Sequence, residues 1–228
     1  LPQKYDTGEP AALIPNFDAA KLGIIEAKAF DYVINGNVEN GYAAIAAIKN
    51  YINTSVYSAD IAVMTREAGT IMFTAAEVYD WCYDLLTDDD KLKIVATLQG
   101  VAAGMETGYP PSGYMTSGHG AETCIQRDWL SFAIATYDEY PDIYEYIAGM
   151  YYSECVSFRE FMYTSEAQTQ GSAYGVTRYN YDLWGQWLIY RMSGVDPLGD
   201  IAEHASQIAY QWIYTRRPDG QLLLRKIR

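Results

Sequence analysis

IAVMTREAGTIMFTAAEVYDWCYDL, residues 61–85, decides the fold class. Its apolar residues Ile61, Met64, Ala68, Ile71, Ala75, Val78, Cys82 and Leu85 step by three or four, which is the buried stripe of an α-helix. Similar stripes run through roughly 18–34, 38–52, 90–106, 121–139, 142–164, 178–193 and 200–215. They predict about eight helices and no alternating strand, so the chain reads as all-α. Paired helices of this length suggest stacked antiparallel hairpins. An α/α toroid and a helical solenoid both fit the period.

The breaks between stripes carry their own chemistry. Asn35-Gly36-Asn37 separates the first two helices with residues that accept positive φ. Thr87 with Asp90 resembles a capping box. Pro141, after Tyr140, cannot continue a preceding helix and so starts a new one. Ser193-Gly194-Val195-Asp196-Pro197 closes another. Two Gly-rich connections, Gly108–Gly120 and Ser165–Gly175, are long enough to expect function in them.

The 228 residues carry a net charge of −13, and 22 of them are tyrosine. Five of the sixteen bases, Arg216, Arg217, Arg225, Lys226 and Arg228, lie in a basic tail at 216–228. Residues 1–215 then hold 11 bases against 28 acids. Such a surface repels polyanions and argues against a nucleic-acid partner. No stretch is apolar for long enough to span a membrane. Tyrosines offer rings with a polar edge, which suit sugar faces, though most should fill the core and its rim. Three cysteines without CxxC spacing do not build a disulfide framework or a thiolate zinc site, and Cys82 and Cys155 read as free buried thiols. No HExxH, P-loop, dinucleotide fingerprint or G-x-S-x-G occurs, so neither a metal nor another cofactor is called for.

Chemistry-bearing residues gather in the two Gly-rich connections. His119 precedes Glu122 by three residues, which places both in the first turn of a helix opening near Gly120. The segment QGSAYGVTRYNYDLW crowds Tyr174, Arg178, Tyr179 and Tyr181 beside Gly171 and Gly175. His204 lies in mid-helix and reads as a surface or core-edge residue.

Four ordered blocks carry a resemblance: AAEVYDWCYDLLTDDDK (75–91), SGHGAETCIQRDWLSFAIATYDEYPDIY (117–144), QGSAYGVTRYNYDLW (170–184) and TRRPDGQLL (215–223). Over roughly residues 70–223 the chain resembles the helical domain of heparinase II/III-like polysaccharide lyases, nearest the heparinase II type. The resemblance implies an incomplete α/α toroid over 1–215. It implies a C-terminal β-sandwich domain, absent here, that packs against the toroid beyond 216–228. It implies β-elimination on uronic-acid polysaccharides such as heparin or heparan sulfate, by a secreted or periplasmic bacterial protein. His119 matches the active-site histidine and Glu122 the acid that engages the uronate carboxylate. Tyr174 matches the tyrosine that serves as acid and, depending on the epimer, as base. Gly118 stands where many relatives have the asparagine that binds the carboxylate, which favours the Glu122 variant. In that reading a protonated Glu122 disperses the growing carbanion charge. The family's second catalytic histidine belongs to the β-domain, and His204 does not match it.

Substrate contacts are expected from Tyr109, Tyr114, Arg127, Arg178 and Tyr179. A basic cleft for an acidic polymer would draw on Arg66, Arg127, Arg159, Arg178, Arg216 and Arg217. A non-catalytic glycan-binding domain would need only aromatic stacking, from Tyr109, Tyr114, Trp129, Tyr174 and Tyr179. A six-hairpin glycoside hydrolase would need two carboxylates across a cleft.

Overall fold

A computed structural model describes residues 16–106 and 121–220. Eight helices account for most of the described residues, and no sheet is formed among them. They are α1 (Ala19–Asn35), α2 (Val38–Thr54), α3 (Ile61–Trp81), α4 (Asp88–Ala103), α5 (121–135), α6 (141–163), α7 (Gly171–Ser193) and α8 (Ala202–Tyr214). No helix among them is long and apolar enough to cross a membrane.

Local chemistry sets most boundaries. The Asp18 carboxylate caps α1 by accepting from the Ala20 and Lys21 amides at 3.0 and 3.2 Å. Asp60 does the same for α3 at Ala62 and Val63. Thr87 and Asp90 form the reciprocal capping box that starts α4. Pro141 is the first residue of α6, where its missing N–H costs nothing. Gly36 and Gly194 end α1 and α7 at φ 70° and 73°, a region that side chains with a Cβ rarely occupy.

Two helices widen midway. Cys124–Trp129 in α5 and Tyr151–Val156 in α6 are π-helical, and the two wide turns pack on each other. α3 is the hub of the first half and touches α1, α2, α4 and α5. α5 and α7 pack together, and the Ser157–Tyr163 end of α6 meets α8. Ala68, Ile71, Ala75, Val78 and Cys82 of the 61–85 stripe are fully buried, whereas Ile61 is exposed. The helix stops at Trp81, and a 3₁₀ turn, Tyr83–Leu85, carries the stripe to its end. Trp129, Tyr79, Tyr163 and Phe132 are the largest buried side chains. All three cysteines are free and buried. Tyrosines also brace the core rim: Tyr79 and Tyr83 donate to Glu139 at 3.0 and 2.5 Å, and Lys91 pairs with the same carboxylate at 2.7 Å.

One boundary departs from the sequence reading. Gly171–Gly175 is not loop but the opening turn of α7, so Tyr174 stands on a helix. No side chain caps this end. It is instead pinned from α8: the Gln168 amide donates to Gln211 Oε1 at 2.7 Å, Gln211 Nε2 returns a bond to the Gln168 carbonyl, and Trp212 Nε1 donates to the Gly171 carbonyl. Those partners are remote in sequence, which is why local signals place the start too late.

Candidate functional site

A cavity of about 300 Å³ opens between α3, α5 and α7. α3 contributes Arg66 and Thr70, one turn apart. α7 contributes Tyr174, Thr177, Arg178 and Tyr181, whose spacing of three and four puts them on one face. α5 contributes Thr123, Arg127 and Asp128 from its π-helical stretch and the turn before it. A π turn takes more residues than an α turn, so neighbours such as Arg127 and Asp128 stand closer in angle and both reach the cavity.

Arg127 is firmly oriented. Its Nε donates to Asp128 Oδ1 at 2.6 Å, and its guanidinium lies 4.6 Å from the Phe73 ring centroid and 5.3 Å from that of Tyr181. The Asp128 side chain is buried, and burial pushes its carboxyl up to about 6 against the pull of Arg127 and Cys124. It nests against the backbone of α3 at Gly69, where a Cβ would collide with the carboxylate. Arg178 is nearly buried and its Nε donates to Gln170 Oε1 at 3.3 Å. Thus three guanidinium groups and one carboxylate face the same space in a chain of strongly negative charge. Further along the same face of α3 lies Glu77, which burial pushes up to about 7; Glu26 adds to the rise and Arg127 opposes it.

Glu122 lies behind this cavity rather than on its wall. Its carboxylate is buried, pairs with Arg159, and accepts from Gln126 Nε2 at 3.3 Å. Arg159 also reaches Asp182, with Nη2 at 2.8 Å and Nε at 3.0 Å, and Asp182 accepts from the Tyr163 hydroxyl. The expectation of a protonated Glu122 facing the sugar is therefore corrected: the carboxylate is engaged by a guanidinium instead. Arg159 is likewise removed from the basic cleft, because it is 3% exposed inside this network.

Other expected contacts separate cleanly. Tyr174, Arg127 and Arg178 meet at the cavity, and Arg66 joins them. Tyr179 does not. Its ring packs 6.1 Å from Tyr163 and 5.5 Å from Trp212, and its hydroxyl donates to the Ala205 carbonyl. One residue along a helix turns the side chain by about 100°, which carries Tyr179 from the cavity face to the core. Trp129 is fully buried and cannot stack on a ligand. Arg216 and Arg217 stand beyond the end of α8 and do not line the cavity, and Arg217 pairs with Asp219 at 3.0 Å. His204 is a surface residue, 3.2 Å from Glu166. His119, Tyr109 and Tyr114 lie outside the described residues, as do 221–228 of the basic tail. Among the described residues, no three His, Cys, Asp or Glu side chains gather as a metal ion would require.

Sequence reasoning missed Asp128, Thr70, Thr123 and Thr177. Thr177, on α7, was reachable by stepping from Tyr174 in threes and fours, which yields Thr177, Arg178 and Tyr181. Asp128 carried no such signal, because its place depends on the π turn.

No known protein family matches the chain, and neither does any curated protein. What the fold and site define by themselves is an all-helical protein with a tyrosine-edged, arginine-lined cavity.

Proposed function

We propose that this chain is the α/α-toroid domain of a polysaccharide lyase, built from antiparallel helical hairpins, that cleaves uronic-acid glycans by β-elimination. One observation carries the reading: the Tyr174 side chain shares a cavity with Arg66, Arg127 and Arg178 in a protein whose overall charge is −13. A local reversal of charge of this kind suits a small anionic group on an otherwise neutral ring.

The chemistry follows from that placement. Removing the C5 proton of a uronate puts negative charge beside an ionised carboxylate. Guanidinium groups that bond the carboxylate offset this charge as it grows, and Arg127, already fixed by Asp128, does so with little reorganisation. The C5–H electrons form the C4=C5 double bond, and the C4–O4 bond breaks with its electrons on O4. The Tyr174 hydroxyl gives its proton to that oxygen. The C5 proton goes to Tyr174 or to His119. In this reading Glu122, with Arg159 and Asp182, holds α5, α6 and α7 around the cavity. The partner is a uronic-acid polysaccharide, heparin- or heparan-sulfate-like or less sulfated. A β-sandwich domain packs on the toroid to supply the second histidine, and the whole is secreted or periplasmic.

The test is incubation with a panel of uronans while following the ultraviolet absorbance of the unsaturated product. Tyr174→Phe keeps the ring and the fold and removes the transferable proton, so its rate should fall by about 10²-fold or more. Full activity in that variant removes Tyr174 from proton transfer. Binding without any double bond would mark a glycan-binding module, and new reducing ends without one would mark a hydrolase.

A further inference from the structure

We infer that Trp184, braced by Phe73, forms a stacking subsite for the sugar ring adjoining the one held in the arginine-lined cavity. This rests on the uronide reading of that cavity and extends it to the next residue of the polymer.

The placement comes from α7. Trp184 lies seven residues, about two turns, beyond Thr177, and three beyond Tyr181, both on the cavity wall. It therefore continues the same face, about 4.5 Å past Tyr181 along the helix axis, a step comparable to one pyranose unit. From α3, Phe73 meets it edge to face, with ring centroids 5.8 Å apart and an interplanar angle of 75°. The Arg127 guanidinium, itself part of the cavity, lies over the same Phe73 ring at 4.6 Å from its centroid. The aromatic corner and the anion site thus share a residue and form one continuous surface.

Exposure supports the role. The indole is 37% exposed while Phe73 packs against it edge to face. An indole face held rigid by a neighbouring ring matches the C–H patch of a sugar and loses little freedom on binding. The charged group of a uronide would stay with the arginines, and the apolar face of the adjoining ring would meet Trp184.

Isothermal titration with two ligands separates the possibilities. One is glucuronic acid, which fills only the cavity. The other is a tetrasaccharide of alternating glucuronate and N-acetylglucosamine, which reaches beyond it. Trp184→Ala should weaken the tetrasaccharide by roughly three- to tenfold and leave glucuronic acid unchanged. Trp184→Phe should keep most of the tetrasaccharide affinity. Tyr190→Ala, an exposed position about 120° round α7 from Trp184 and on the side away from the cavity, should alter neither. Unchanged tetrasaccharide affinity in Trp184→Ala, with glucuronic acid still bound, overturns the subsite alone. Equal losses on both ligands overturn it too, since they mark a distorted cavity. Failure of the unaltered protein to bind glucuronic acid overturns the cavity reading and the subsite with it.

Discussion

Glu77 shows how a single side chain can set a pH dependence. It stands on the same face of α3 as Arg66 and Thr70, and burial pushes its carboxyl from 4.5 up to about 7. Between those values the folded chain holds the proton more tightly than the unfolded chain does. Its contribution to stability is therefore full below about pH 4.5 and is lost as pH rises through about 7. Glu77→Gln removes this term. Urea unfolding should find that variant more stable than the parent by about 1–2 kcal/mol near pH 8, after allowing for partial solvent screening, and little different near pH 4. A difference that stays constant across the range would refute the assignment. The residue scale also explains the exchange between Tyr179 and Trp184. Both sit among aromatic and polar neighbours in QGSAYGVTRYNYDLW, and composition treats them alike. The helical step alone sends Tyr179 to Tyr163 and Trp212 and leaves Trp184 beside the cavity.

At the level of elements, the helix starts divide into two kinds. α1, α3 and α4 begin at side chains that satisfy the free amides of the first turn; the cap of α4 was legible in the sequence as Thr87 with Asp90, whereas α1 and α3 were read from their apolar stripes. Thr87→Ala removes the half of the capping box in which Thr87 Oγ1 accepts from the Asp90 amide, leaves the bond from the backbone amide of residue 87 to the Asp90 carboxylate, and should lower the unfolding free energy by about 1 kcal/mol in urea titrations, with unchanged helical circular dichroism at low denaturant. A variant as stable as the parent would mean that Asp90, which also pairs with Lys49, holds the end alone. α7 is of the second kind, since its start is held by Gln211 and Trp212 of α8. The π-helical turns of α5 and α6 are equally silent in sequence. Their residues keep ordinary apolar spacing, yet the extra width decides that Arg127 and Asp128 share a cavity. Gly69 is the counterpart on α3, where the missing Cβ lets the Asp128 carboxylate approach the helix.

Across the whole molecule, one buried ionic network joins three helices. Glu122 comes from α5, Arg159 from α6 and Asp182 from α7, with Tyr163 closing the set. Arg159→Met leaves two carboxylates facing each other without a cation and should cost about 3–5 kcal/mol in urea unfolding. Adding Glu122→Gln and Asp182→Asn should recover a large part of that loss, because the remaining groups are neutral. No recovery in the triple variant would show that Arg159 acts by packing rather than by charge. The pairing of the buried acids is consistent with a cationic cavity in an acidic chain: Arg159 matches Glu122 and Asp182 behind the wall and Arg127 matches Asp128 on it, so among the described residues Arg66 and Arg178 line the cavity with no further carboxylate on the wall. The same arrangement gives Glu122 a holding role.

The sequence by itself determined the all-helical class, the approximate number and limits of the helices, and the grouping of Tyr174 with Arg178. Those features depend on the three- and four-residue repeat and on caps within one turn, and such contacts are made inside a segment whatever the rest of the chain does. The tertiary structure alone decided that Glu122 faces Arg159, that Tyr179 is core while Trp184 is surface, that Asp128 fixes Arg127, and that α7 starts at Gly171. Each of these depends on a partner from another helix or on a local change of helical width. Periodicity encodes neither, because it records only which side of a helix is buried and not what meets it there.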